Sequence, residues 1–201
     1  MSSAPSRSSR AAPDDPLALA LRTGVATVIR DVGRIEATNP VILIDGRSGA
    51  GKSSLARAVV SAWPDTGRVQ LIALDSLYPG WDGLEAGAEI ARQDILVPHA
   101  RGLIGVWRRH DWDTGSPAEA HAVDPSLPLI VEGAGVLTAQ SRRLCDVAVW
   151  VDAPDASRRR RALARDGDTY RPHWSRWADQ EAGHIRREDP AALATIVVRV
   201  P

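Results

Sequence analysis

Apolar residues along this chain fall into two alternating patterns. Over residues 17–37, Leu21, Val25, Val28, Val32 and Ile35 recur at steps of four and three, which lays one apolar stripe along a helix. Asn39-Pro40 is a stop signal for it. The next segment, VILID at 41–45, abandons the helical period for an unbroken apolar run ending in an acid. Such a run predicts a strand buried on both faces, as in a parallel sheet. Further strands are predicted at 69–74, 129–131, 147–151 and 196–200, three of them followed by an acid: Asp75, Glu132 and Asp152. Helical spacing returns at 53–62, at 86–107 with an interruption at Pro98, at 155–165 and, after a polar loop to about 172, up to about 187. Residues 110–128 are rich in Asp, Pro and Gly and read as loop. Strands alternating with helices predict an α/β fold, a three-layer α/β/α sandwich on a parallel sheet of about five strands.

Composition narrows the setting. A chain of 201 residues that is 44% hydrophobic can bury a single core, so residues 16–201 are expected to form one domain behind a disordered tail, 1–15. Lys+Arg and Asp+Glu both number 25, so no net positive field draws the protein to nucleic acid or to an anionic membrane. The lone cysteine, Cys145, excludes an intramolecular disulfide and argues against a thiolate zinc site. The Ser, Pro and Arg of the tail contain no apolar run for a secretory signal, and no later segment reaches membrane-spanning length. A reducing, cytoplasmic location and a small-molecule partner are the expectation, with the oligomeric state left open.

The turn after the first strand changes the picture most. Residues 46–53, GRSGAGKS, match G-x-x-x-x-G-K-[ST] between a predicted strand and a predicted helix, the phosphate-binding P-loop. Gly46, Ser48, Gly49, Ala50, Gly51, Lys52, Ser53 and Ser54 are therefore the candidate nucleotide-binding set. Glycines let amides turn toward phosphate oxygens, the helix start adds partial positive charge, and Ser53 offers a hydroxyl to Mg²⁺. Lys52 is the chain's only lysine, in a sequence that elsewhere uses arginine. A compact ammonium on a flexible stem fits inside such a cradle, whereas a planar guanidinium needs a wider fork.

Other candidates stand at the strand tips and on one helix face. Asp75 is either a general base for an attacking hydroxyl or a turn cap. Glu132 is either an acid associated with Mg²⁺ or a solvated strand-end residue. Arg158, Arg161 and Arg165 share one helix face beside a polar loop carrying Arg171. That segment, about 155–175, reads as a lid over a triphosphate or as a solvated charged face. Trp81 and Trp112 either stack on a base or sugar or pack beneath a loop. Trp174, Trp177, Gln180 and Glu181 on the late helix read as core packing, and the histidines show no metal-ligand spacing.

The ordered motifs GRSGAGKSS, D-S-L-Y at 75–78, V-E-G at 131–133 and R-A-L-A-R-D at 161–166 resemble those of the uridine kinase and phosphoribulokinase group of P-loop kinases. The resemblance spans about 41–177. It implies ATP and Mg²⁺ as cofactors, Asp75 as catalytic base, Tyr78 as a substrate-side contact, Glu132 as the Mg²⁺-associated acid, and Arg161 and Arg165 as lid residues on the phosphates. Where uridine kinases of the group carry Tyr-Asp before the third strand, this chain has His110-Asp111, so only Asp111 carries over, and no phenylalanine occurs anywhere. The expected activity is phosphoryl transfer to a hydroxyl of a small metabolite, a nucleoside first. A monophosphate, a non-nucleoside alcohol, or a nucleotide-hydrolysing switch are the alternatives. An N-K-x-D guanine motif is absent, since Asn39 is the only asparagine.

Overall fold

Five parallel strands run side by side in the order β2-β5-β1-β6-β7: β1 (Val41–Asp45), β2 (Gln70–Ala73), β5 (Leu129–Glu132), β6 (Val147–Asp152) and β7 (Ile196–Arg199). The computed structural model describes residues 15–64 and 67–201. Every residue of the central strand β1 is buried, because helices cover both faces of the sheet. Ile42 and Ile44 point into a core shared with Val28 of α1 (Pro16–Val32) and with Leu55 and Val59 of α2 (Lys52–Ser61). Val41 and Leu43 point the other way, toward Leu74, Tyr78, Ile95 and Trp177. The period of two along one apolar run thus supplies two cores. All five strands end at one edge, and the chain crosses that edge at the turn after β1, where open α/β sheets place ligands.

Several boundaries differ from the sequence reading. The predicted tail lies outside the described residues except for Asp15, whose carboxylate caps α1 by accepting the Leu17 amide at 3.1 Å. α1 ends at Val32 rather than near 37, because Gly33 caps it and the chain leaves through a turn that still keeps Ile35 against the core. The helix predicted through 107 stops at 100. It comprises α3 (Leu84–Ile90), a π-helical stretch (Ala91–Leu96) and α4 (Val97–Ala100). Pro98 does not break it, since it falls in the first turn after the widened segment, where a missing N–H costs little.

The largest correction is at 105–123. Instead of loop, the chain forms an antiparallel hairpin of β3 (Gly105–Asp111) and β4 (Ser116–Val123). Its residues are mostly exposed on both faces, so the apolar alternation that betrays a half-buried strand is missing. Of the residues taken as loop signals, Asp113 and Gly115 (φ 65°) form its turn, Pro117 sits in β4, and Asp124, Pro125 and Pro128 follow the hairpin. Beyond β6, α5 (Asp155–Tyr170) continues past the predicted end at 165 through a break at Gly167 (φ 56°, ψ −133°). A 3₁₀ turn (Arg171–His173) then joins it to α6 (Trp174–Glu188), followed by α7 (Pro190–Leu193). The polar loop expected here is therefore helical for most of its length. Among the described residues no helix is long and apolar enough to cross a membrane.

Candidate active site

The turn from β1 to α2 is shaped by close approach of backbone to backbone. A Cβ at Gly49 (φ 76°) would collide with the Arg158 carbonyl, and one at Gly46 (φ 150°) with the Val151 carbonyl. Only glycine takes such a conformation in such a space. Three amides of the loop already have protein acceptors: Gly46 donates to Asp45 Oδ1 at 2.6 Å, Ser48 to Glu181 Oε1 at 2.5 Å and Ala50 to the Arg47 carbonyl at 3.0 Å. The first-turn amides of α2, Lys52, Ser53 and Ser54, have no acceptor within their helix. Those groups, with the helix dipole behind them, form the cradle that an anion would fill. Lys52 curls over the same loop, its Nζ donating to the Arg47 carbonyl at 3.3 Å.

A cleft of about 630 Å³ opens from this loop along the carboxyl edge of the sheet. Ser48, Gly49, Lys52, Ser53, Arg57 and Arg165 line it together with Asp75, Tyr78, Trp81, Trp112, Tyr170 and Trp177, and Tyr170 is hydrogen-bonded to Ser48 of the loop. Glu132 also lines it, hydrogen-bonded to Ser53 and within electrostatic reach of Lys52 and Asp75. Asp75 stands in a 3₁₀ turn (Leu74–Ser76) that follows β2 directly, so the strand end delivers its carboxylate to the cleft. Trp112, from the hairpin tip, donates its indole N–H to the Asp75 backbone carbonyl at 2.8 Å and so ties the hairpin to that turn.

No family model matches the chain. In sequence it is 29% identical over 143 residues to a uridine kinase of Streptococcus mutans, covering 63% of this chain and 68% of the relative. A uridine kinase of Streptococcus pneumoniae is 28% identical over 144 residues, with 63% and 67% covered. In structure it superposes on a protein described as a possible uridine kinase from Bacillus stearothermophilus with a TM-score of 0.64 at 19% identity, over 88% of this chain and 98% of that one. In sequence and in fold the chain is similar to uridine kinases. A candidate fructose transport system kinase from a Silicibacter species shares the fold at a TM-score of 0.54 and 18% identity, over 86% and 98% of the two chains.

The kinase buries Glu132, and burial raises its carboxyl pKa, opposed by the Lys52 ammonium and by a hydrogen bond from Ser53. That pairing of a hydroxyl with a carboxylate is a hard oxygen donor set. Among the described residues no group of three or more Asp, Glu, His or Cys side chains is placed to hold a metal ion. Tyr78 is pushed well above the usual phenol range by burial and by surrounding carboxylates, and its hydroxyl donates to the Ala134 carbonyl at 2.8 Å. It therefore serves the cleft as a ring rather than as an acid or base.

On the arginine face, Arg161 and Arg165 share a pocket while Arg158 turns into the protein. Arg158 is buried and donates to the Ser48 carbonyl at 3.0 Å. Arg161 is fixed to the Gly49 carbonyl at 2.8 Å and the Pro201 carbonyl at 2.7 Å. It lines a smaller pocket, about 140 Å³, together with Lys52, Ser53, Arg57 and Arg165. Arg165 reaches the main cleft, paired with Asp166 at 2.7 Å. Two expected substrate residues are not in the cleft: Asp111 caps the hairpin turn by accepting the Asp113 amide at 3.0 Å, and Arg171 is exposed beside Asp168 at 3.4 Å. Their side chains satisfy local backbone and charge instead.

Sequence reasoning also missed groups behind the loop. Asp45, 1% exposed, accepts the amides of Gly46 (2.6 Å), Gly135 (3.0 Å) and Leu137 (2.9 Å) and lies 3.1 Å from His184 Nε2. Its position as the acid ending β1 was the available signal. Trp177, read as packing, does belong to the core and also lines the cleft, whereas Glu181 proves to be a partner of the P-loop. Trp81 stacks on His173 (centroids 4.3 Å apart, 12° between planes) and on Tyr170 (5.4 Å, 14°), with Trp112 tilted against it at 4.9 Å.

Proposed function

We propose that this kinase transfers the γ-phosphoryl group of ATP to a hydroxyl of a neutral, ring-bearing alcohol, a nucleoside such as uridine. The observation that carries the reading is one cleft lined by the P-loop lysine, by Asp75 and by a set of aromatic rings. Flat rings offer a surface on which a base stacks. Beside Asp75 the cleft offers a carboxylate and aromatic rings together with Arg165, a lining that suits a ring-bearing acceptor.

In this reading Lys52 and the first-turn amides of α2 bind the triphosphate, and Asp75 takes the proton of the acceptor hydroxyl. The new bond forms between the acceptor oxygen and the γ-phosphorus, and the bond from that phosphorus to the ADP oxygen breaks. Positioning plus charge stabilisation supplies most of the rate in such transfers. Ser53 and Glu132 suit Mg²⁺, which is commonly held by one or two protein oxygens beside phosphates. When bound, that ion neutralises phosphate charge. Arg165 adds positive charge in the same cleft, its guanidinium kept cationic by Asp166.

The test is ADP release by the purified chain with magnesium–ATP, with and without a panel of nucleosides, nucleoside monophosphates and small alcohols. A nucleoside that raises the rate at least tenfold over the acceptor-free background supports the reading. Acceptor-independent ADP release would favour a hydrolase, and stimulation by monophosphates alone would move the acceptor to that class.

A further inference from the structure

Glu181 does not line the cleft; it stands behind the phosphate-binding loop, on the face of α6 that also carries Trp177 and His184 at helical spacing. It is 2% exposed. Its Oε1 accepts the Ser48 amide at 2.5 Å, and its Oε2 accepts Arg47 Nε at 3.1 Å and lies 3.8 Å from Arg158 Nη1. Arg158, also 2% exposed, donates to the Ser48 carbonyl at 3.0 Å. Charged groups from two helices thus hold both peptide groups that flank Ser48. Hydrogen bonds to buried charges are among the stronger ones, and no water replaces them there.

A trans peptide is planar, with its N–H and C=O pointing in opposite directions. When Glu181 draws the Ser48 N–H behind the loop, the Arg47 carbonyl must face the other way. That carbonyl accepts Lys52 Nζ at 3.3 Å and the Ala50 amide at 3.0 Å. By the same geometry, Arg158 holding the Ser48 carbonyl turns the Gly49 N–H away from itself.

We propose that Glu181 is a positioning residue for the donor site. By fixing the orientation of the Arg47–Ser48 peptide, it sets the carbonyl on which Lys52 rests and the shape of the loop before nucleotide arrives. The inference rests on the reading of this loop as the ATP site. Without the clamp, the loop must order on binding, and that cost appears as lost affinity.

Two conservative variants separate reach from charge. Glu181→Asp keeps the charge opposite Arg47 and Arg158 but withdraws the carboxylate from the Ser48 amide. Glu181→Gln keeps an oxygen within reach of that amide but leaves the arginines without their partner. Magnesium–ATP affinity by calorimetry and melting temperature are measured on the full chain. The expected result is a crossed ranking: Glu181→Asp loses about tenfold in ATP affinity, about 1.4 kcal/mol, and Glu181→Gln less than about threefold, while Glu181→Gln has the lower melting temperature. Parallel ranking of affinity and stability, or wild-type ATP affinity in Glu181→Asp, overturns the proposal. Should Glu181→Gln not fold, the affinity of Glu181→Asp decides alone. A wild-type chain that binds no magnesium–ATP refutes the donor-site reading itself, a different outcome from variants that bind as the wild type does.

Discussion

In the proposed donor part of the cleft most of the groups come from one short run, residues 46–54, joined by Arg57 and Arg165, whereas the rings proposed for the acceptor come from separate parts of the chain. Tyr78 and Trp81 follow β2, Trp112 tips the hairpin, and Tyr170 and Trp177 belong to α5 and α6. The phosphate end is built from backbone: glycine dihedrals, first-turn amides and one ammonium. The acceptor end is built from side chains whose meeting depends on where whole elements pack. The contrast teaches that donor chemistry is locally encoded and difficult to alter without breaking the loop. Acceptor choice is spread over contacts that substitution can shift one at a time.

The greatest expected effect bears on the proposed base. Asp75→Asn should lower kcat by ~10²–10⁴ if the carboxylate takes the acceptor proton, with magnesium–ATP affinity by calorimetry close to the wild type. Retention of kcat would assign Asp75 to the turn alone. Next comes the backbone of the donor end. Gly49→Ala forces a Cβ against the Arg158 carbonyl at a positive φ, and should cost ~1–3 kcal/mol in denaturant unfolding; a stable variant with normal ATP binding would mean the loop relaxes more readily than the contacts suggest.

A smaller effect is expected where the acceptor end is pinned by one hydrogen bond. Trp112→Phe keeps a ring but loses the indole N–H to the Asp75 carbonyl, a bond worth ~0.5–1.5 kcal/mol. Its signature should be a several-fold change in the acceptor KM at unchanged ATP affinity, read by steady-state kinetics with whichever acceptor is active. An equal change in both would show that the two ends are not separable.

The smallest effect lies on the exposed hairpin. The guanidinium of Arg109 holds the Glu119 carboxyl at about 2, below its ordinary 4.5. A depressed carboxyl stabilises the fold above its unfolded pKa, and that contribution is lost as pH falls toward the folded value. Glu119→Gln should therefore lower the melting temperature slightly at pH 7, with the gap narrowing between pH 4.5 and about 2. A gap that persists unchanged across that range would trace the effect to packing rather than charge.

Much of this was readable from residue order. The strand VILID, the P-loop and the position of Asp75 after a buried strand follow from apolar runs and from a motif whose spacing is its mechanism. The hairpin was not readable, because strands exposed on both faces leave no alternation. Asp111 and Arg171 were misplaced for a related reason: position in a motif does not reveal that a side chain satisfies its own turn or a neighbouring acid. Glu181 was taken for packing because nothing in its neighbours along the chain points to Ser48, distant in sequence.

The sequence alone determined the layered fold, the phosphate loop and the class of chemistry, since these rest on dihedral preferences, amide directions and hydrophobic periodicity within a few residues of one another. Tertiary structure decided which arginine faces the cleft, which rings form the acceptor wall, and which buried carboxylates hold the loop. Those depend on distances between segments far apart in the chain, and only the packing of α5, α6 and the hairpin against the sheet sets such distances.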